Sequence, residues 1–87
     1  MHPIPMNWLV YIIQCNDGSL YTGVTTNLER RVAEHQGDTR GAKYFNGRNP
    51  ERVVYTETGH TRSSACQREA AIKSLSRPQK LKLLKKH

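Results

Sequence analysis

The stretch LVYIIQCNDGSLYTGV, residues 9–24, decides how this chain folds. Two runs rich in Val, Ile, Leu and Tyr flank Asn16-Asp17-Gly18, the composition of two strands joined by a tight turn. A two-residue Asp-Gly turn would pair Asn16 with Ser19 and send Tyr11 and Tyr21 to opposite faces. A three-residue loop, with a type I turn at Asn16-Asp17 and Gly18 left-handed, pairs Cys15 with Ser19 instead. Tyr11 then lies opposite Gly23 and Ile13 opposite Tyr21. Both phenols share one face, and Val10, Ile12, Leu20 and Val24 share the other. This register separates an aliphatic face from a hydroxyl-bearing one and is the one expected. Gly23 would leave open space beside the Tyr11 ring. The two phenols serve either as packing residues with a polar handle or as half of an active site.

Working outward, residues 8–14 form the first strand and residues 19–24 the second. Thr26 and Glu29 have capping-box spacing, so a helix over NLERRVAEHQ is expected to start at Thr26 and stop at Gly37. The polar, glycine-rich segment from Gly37 to Pro50 reads as a functional loop. Residues 51–58, ERVVYTET, make a third strand. Thr61 or Ser63 caps a second helix running to about Leu75, and Ser76-Arg77-Pro78 opens a third, with proline in its first turn. The order ββαβαα implies an α+β domain: a three-stranded antiparallel sheet flanked by helices. A single domain is expected over residues 1–87, with 1–7 a short tail and 76–87 a basic C-terminal helix.

The chain carries 14 Lys and Arg against 7 Asp and Glu, a net charge of +7. That balance favours a polyanionic partner, because counterions released from nucleic acid drive such binding. No apolar run approaches the roughly 18 residues of a membrane span. Nor does the N-terminus resemble a signal peptide. The expectation is a cytoplasmic monomer that binds nucleic acid, DNA before RNA, and no membrane. Cys15 and Cys66 are too few for a disulfide framework or a cysteine-based zinc site and are expected to be reduced, partly buried thiols.

Two helices carry charge on their apolar faces. With Leu28 at zero on a wheel of about 100° per residue, Val32 falls near +40°, His35 near −20° and Arg31 near −60°, while Arg30 points to solvent. With Ala65 at zero on the second helix, Glu69 falls near +40° and Ile72 near −20°, by about 100° per residue. An inward carboxylate must be paired, for example with Arg31, or protonated, or bound to a metal. Lys73 stands where a second carboxylate would follow. A metal held by Glu69 alone, with water and substrate oxygens, has the habit of Mg²⁺ rather than of zinc. Phosphodiester hydrolysis needs a base for water, a cation at the phosphorus and a metal for the leaving oxygen. Tyr11 or Tyr21, Arg31 and Glu69 match those needs.

At this point the sequence resembles the GIY-YIG endonuclease superfamily, in particular its small stand-alone bacterial members. Leu9-Val10-Tyr11 stands for the first tripeptide and Tyr21-Thr22-Gly23 for the second. Arg31 follows ten residues after the second tyrosine, His35 four residues later, and Glu69 lies in REAAIKSL. The match runs from about Trp8 to Lys80. The resemblance implies metal-dependent cleavage of nucleic acid, with Tyr11 taking a proton from water and Tyr21 positioning water or phosphate. Arg31 would bind the scissile phosphate, His35 would assist, and Glu69 would hold one Mg²⁺ or Mn²⁺. Gly18 and Gly23 are the structural glycines. Lys43, Tyr44, Arg48, Lys80 and Lys82 are expected nucleic-acid contacts. Two positions depart from the family pattern: Val24 where some members carry Lys or His, and Leu81 where others carry asparagine. A free phenol ionises near pH 10, so the loss of such helpers bears on rate rather than fold. A protein partner for targeting is expected, and the alternative is a binding module that keeps the fold without turnover.

Overall fold

A computed structural model describes residues 5–37 and 50–85, with side chains described for 5–34 and 51–85. Its elements run β1 (Trp8–Cys15), β2 (Leu20–Thr25), α1 (Leu28–Gly37), β3 (Pro50–His60), α2 (Arg62–Lys73) and α3 (Arg77–Lys85). The sheet is antiparallel in the order β2-β1-β3, with the most apolar strand at its centre. This is the expected α+β architecture.

The hairpin takes the three-residue loop. Gly18 N–H donates to Cys15 O at 2.9 Å, Cys15 N–H donates to Ser19 O at 2.9 Å, and Gly18 has φ +85°. Only glycine adopts that left-handed conformation without steric cost. Asp17 Oδ1 accepts from the Ser19 N–H at 3.0 Å, which ties down the loop exit. Tyr11 therefore pairs with Gly23 and Ile13 with Tyr21, so the phenols share a face.

Val10 and Ile12, on the other face, join Tyr55, Ala65 and Ile72 in the core, with Trp8, Leu20, Val24, Val54, Leu83 and Leu84 packed around them. Helices α2 and α3 thus cover the aliphatic face. Thr22 shares that face and is 3 % exposed, and its hydroxyl has no hydrogen-bond partner among the described residues. A buried hydroxyl left unpaired costs about 1–3 kcal/mol. Thr22→Val keeps the shape and removes the orphan. It is expected to gain about 1 kcal/mol, a rise in Tm of roughly 4–8 °C in a chain of this size. A thermal melt in which Tm stays level or falls would show the hydroxyl to be satisfied.

Three boundaries differ from the sequence reading. Helix α1 is capped by Asn27, not Thr26. Asn27 Oδ1 accepts from Arg30 N–H at 3.0 Å and Asn27 O accepts from Arg31 N–H at 3.1 Å. The hydroxyl of buried Thr25 takes the Asn27 N–H at 3.1 Å, so the strand ends one residue later than a Thr26 cap allows. Asparagine is also the better N-cap of the two. Strand β3 outruns 51–58 because a bulge, with Gly59 at φ +76°, shifts the ladder and lets His60 pair with Trp8. Helix α2 begins after Thr61, whose hydroxyl accepts from Ser64 N–H at 3.1 Å. It ends at Lys73 rather than near Leu75. Ser76 and Gln79 cap α3 reciprocally, and Arg77 Nη2 donates to Gly18 O at 3.0 Å, pinning α3 to the hairpin tip.

Candidate active site

The phenol face gathers groups from four elements. Tyr11 of β1 is 1 % exposed, and its ring centroid lies 6.3 Å from that of Tyr21 on β2, tilted by 45°. Opposite Tyr11, the absence of a side chain at Gly23 admits the ring. A Cβ built on Gly23 would stand 2.5 Å from the phenol oxygen and 2.6 Å from Cζ. The space expected beside the ring is therefore filled by the ring itself. Gly18 is the turn residue, and Gly23 is a strand residue that lets an aromatic ring lie on the backbone.

The electrostatics of Tyr11 locate its neighbours. Burial is the main force raising its proton affinity well above the ordinary phenol value, and Tyr21, Glu69 and Glu34 add to it, while Arg31 acts the other way. Arg31 and Glu34 come from α1 and Glu69 from α2. Hence Tyr21, Arg31 and Glu69, far apart in sequence, all act electrostatically on the Tyr11 phenol. Arg31 is the more inward of the adjacent arginines, 43 % exposed in its side chain against 68 % for Arg30.

The ion pairs differ from the pairing considered from the sequence. Arg31 Nη1 lies 3.5 Å from Glu34 Oε2, and Glu69 Oε2 lies 3.4 Å from Lys73 Nζ. Each inward charge takes a partner on its own helix, three or four residues away, so no Arg31–Glu69 bridge closes the site. Helical i,i+3 and i,i+4 spacing was the signal that could have marked Glu34 and Lys73 as members of the site.

Of the other expected residues, His35 lies in α1, but its side chain is outside the described residues, as are Lys43, Tyr44 and Arg48. Lys80 and Lys82 do not form one patch. Lys80 is half-buried on the side of Leu83 and Leu84, while Lys82 is exposed and about 160° away on the helix wheel. Cys15 is buried and Cys66 exposed, both as free thiols. No described helix is long and apolar enough to cross a membrane.

Among the described residues, no cluster of three or more His, Cys, Asp or Glu side chains gathers to hold an ion. The one carboxylate at the phenol pair that comes from α2 is Glu69, 24 % exposed in its side chain. With Glu69 as its one protein carboxylate, a metal site here would suit a hydrated Mg²⁺ or Mn²⁺ completed by water and phosphate oxygens, and not a closed zinc site.

Comparison with known proteins bears on the family and the fold. The GIY-YIG catalytic domain model matches residues 7–82. A UPF0213 protein of Desulfotalea psychrophila is 53 % identical over 78 residues, covering 90 % of this chain and 71 % of that one. Another, from Natronomonas pharaonis, is 55 % identical over 75 residues, 86 % of this chain and 87 % of its own. The solution NMR structure of a UPF0213 protein from Bacillus halodurans superposes with a TM-score of 0.59 at 44 % identity, covering 92 % of this chain and 84 % of that one. That of a protein from E. faecalis gives a TM-score of 0.62 at 44 % identity, with 90 % and 82 % covered.

Proposed function

The chain belongs to the GIY-YIG catalytic-domain family, and from that premise we propose that it hydrolyses phosphodiester bonds in nucleic acid, DNA before RNA. The observation that supports this most is that Arg31 from α1 and Glu69 from α2 both act electrostatically on the buried Tyr11 phenol, which packs against Tyr21. Glu69 would hold one Mg²⁺ or Mn²⁺, which when bound would supply a Lewis acid for the leaving oxygen. Arg31 leaves Glu34 and binds the scissile phosphate, whose developing charge a guanidinium stabilises. Tyr21, less buried than its partner, orients water or phosphate at the mouth. His35, four residues after Arg31 in α1, assists.

Tyr11 receives the proton of the attacking water. In the unliganded protein burial keeps its own proton on, so its basic form is scarce at neutral pH. Arg31 is the group that draws the proton affinity back down. Below the phenol's ionisation point, each pH unit raises the basic fraction tenfold. Cleavage is therefore expected to climb with a log slope near one from about pH 7 to 9.5 rather than peak at neutrality.

The test is a nicking assay with purified protein and Mg²⁺ or Mn²⁺ on plasmid, oligonucleotide and RNA substrates. Glu69→Ala and Tyr11→Phe are expected to abolish cleavage while binding survives. Absence of cleavage on every substrate would leave the second reading, a binding module without turnover. That reading draws on Val24, which stands where some members carry Lys or His and packs against the aliphatic core instead. In either reading the chain acts as a monomer, and a protein partner supplies its targeting.

A further inference from the structure

The charge of this chain is unevenly placed. Residues 1–60 hold six Lys and Arg against six Asp and Glu, whereas residues 61–87 hold eight against Glu69 alone. The whole net charge of +7 thus belongs to the segment that forms α2 and α3.

Contacts on one flank of α2, together with the helix wheel, fix which of its cations lie on the other. Ala65 and Ile72 are buried against the sheet. Relative to Ala65, Ser64 and Arg68 fall near −100° and −60°, and Arg62, Glu69 and Lys73 between about +40° and +80°, at about 100° per residue. On the first flank Arg68 Nε donates to both Glu57 oxygens, at 3.1 and 3.2 Å, and Ser64 Oγ lies 2.9 Å from His60 Nδ1. That flank is therefore turned to β3, and Arg68 is neutralised by Glu57. The opposite flank is a row: exposed Arg62, then Glu69 about 10.5 Å along the helix, then Lys73 about 6 Å further. Its middle member acts on Tyr11.

From this row we propose that Arg62 and Lys73 bind the backbone phosphates that flank the scissile one, so that a single strand of nucleic acid runs along α2. The assignment rests on the phosphodiester reading above. A strand carries one charge per about 3.4 Å of axis, so Lys73 and Arg62 fall about two and three phosphates to either side of Glu69 rather than on the same one. The two cations differ in one respect. No ion pair holds Arg62 among the described residues, whereas Lys73 is held by Glu69 at 3.4 Å and would be released when a divalent cation takes the carboxylate. Metal loading and strand binding are thereby coupled through one ion pair.

The test is equilibrium binding of a labelled oligonucleotide by the full chain, measured by anisotropy across a salt series, with and without Mg²⁺. Removing one phosphate contact lowers the slope of log affinity against log salt by about 0.7 for single strands and 0.9 for duplex. Arg62→Gln is expected to lose that slope in both conditions. Lys73→Gln is expected to lose it only with Mg²⁺, and Lys73→Arg to retain it. Glu69→Gln, which frees Lys73, is expected to tighten binding without Mg²⁺ severalfold, and Lys73→Gln in that background to cancel the gain. Arg52→Gln, a cation on β3 engaged with Gln14, serves as control. Unchanged slopes in both α2 variants, with a wild type that binds in a salt-dependent way, would overturn this assignment and leave the nuclease reading intact. A wild type that binds no nucleic acid would overturn both.

Discussion

Gly23→Ala is expected to destabilise the fold by about 3 kcal/mol, at the upper end of overpacking costs, and to abolish whatever chemistry the phenol face performs. The added methyl would sit 2.5 Å from Tyr11 Oη, 2.6 Å from Cζ and 3.1 Å from Cε1, well inside contact distance for three ring atoms. Relief by rotation is blocked, because Tyr11 is fully enclosed and its strand is the central one. The ring must leave its site or the β1–β2 ladder must open. Either outcome separates Tyr11 from Tyr21, Arg31 and Glu69. The variant has a signature that a general loss of stability lacks. In the wild type, burial raises the Tyr11 proton affinity, so this tyrosine ionises only well above the ordinary phenol range. The sign follows directly: the raised phenol contributes stability below about pH 10, which fades as pH climbs toward its folded value. In folded Gly23→Ala protein a displaced, solvated Tyr11 is expected to ionise near pH 10, the ordinary phenol value, measured by ultraviolet titration of tyrosinate. An unchanged titration together with an unchanged melt would mean that the ring does not rest on Gly23.

The hairpin was legible from residues 9–24 because strand alternation and turn chemistry are local, and the aliphatic face allowed one register to be chosen. The inward positions of Arg31 and Glu69 were legible for a similar reason, since a helix wheel reports which face a side chain shares. What the wheel does not report is which partner a charge selects. Glu69 chose Lys73, four residues away on its own helix, over Arg31 across the fold. Local pairing incurs less ordering entropy than a cross-fold bridge. The Asn27 cap was missed by one residue because Thr25, left outside the strand read over 19–24, pairs with Leu9 in the ladder and also serves the turn through its hydroxyl. Gly23 was read as open space because sequence pairing gives the partner of a residue without the tilt of its ring. Nothing local announced the Glu57 cluster, which exists because a bulge at Gly59 turns His60 back to the face of Glu57.

That cluster carries the second large effect. Glu57 Oε2 accepts from Tyr55 Oη at 2.7 Å, Glu57 Oε1 accepts from His60 Nε2 at 2.6 Å, and Arg68 Nε donates to both oxygens. One carboxylate thus joins the end of β3 to the middle of α2, and through Ser64 to the α2 N-terminus. Glu57→Ala leaves three donors without their acceptor. Their part exposure lets water replace some of the loss, which places the expected cost at about 2 kcal/mol. That corresponds to a fall in Tm of roughly 10 °C for a chain of this length. Arg68→Ala on top of it should cost little more, because the two side chains share one network and their effects are not additive. Acid supplies an independent check. Burial alone would raise the Glu57 carboxyl, but hydrogen bonds from Tyr55, His60 and Arg68 and the Arg68 charge prevail, holding it below the usual carboxylate range. A lowered carboxyl contributes stability above its unfolded value, near pH 4.3, and loses it as pH falls through the folded one. Wild type should therefore lose more Tm between pH 5 and about pH 3 than Glu57→Gln, whose amide does not titrate in that range. If the two melt in parallel across the acid range, Glu57 is not the anchor of α2, and the orientation of the Arg62–Glu69–Lys73 row must depend on the packing of Ala65 and Ile72 alone.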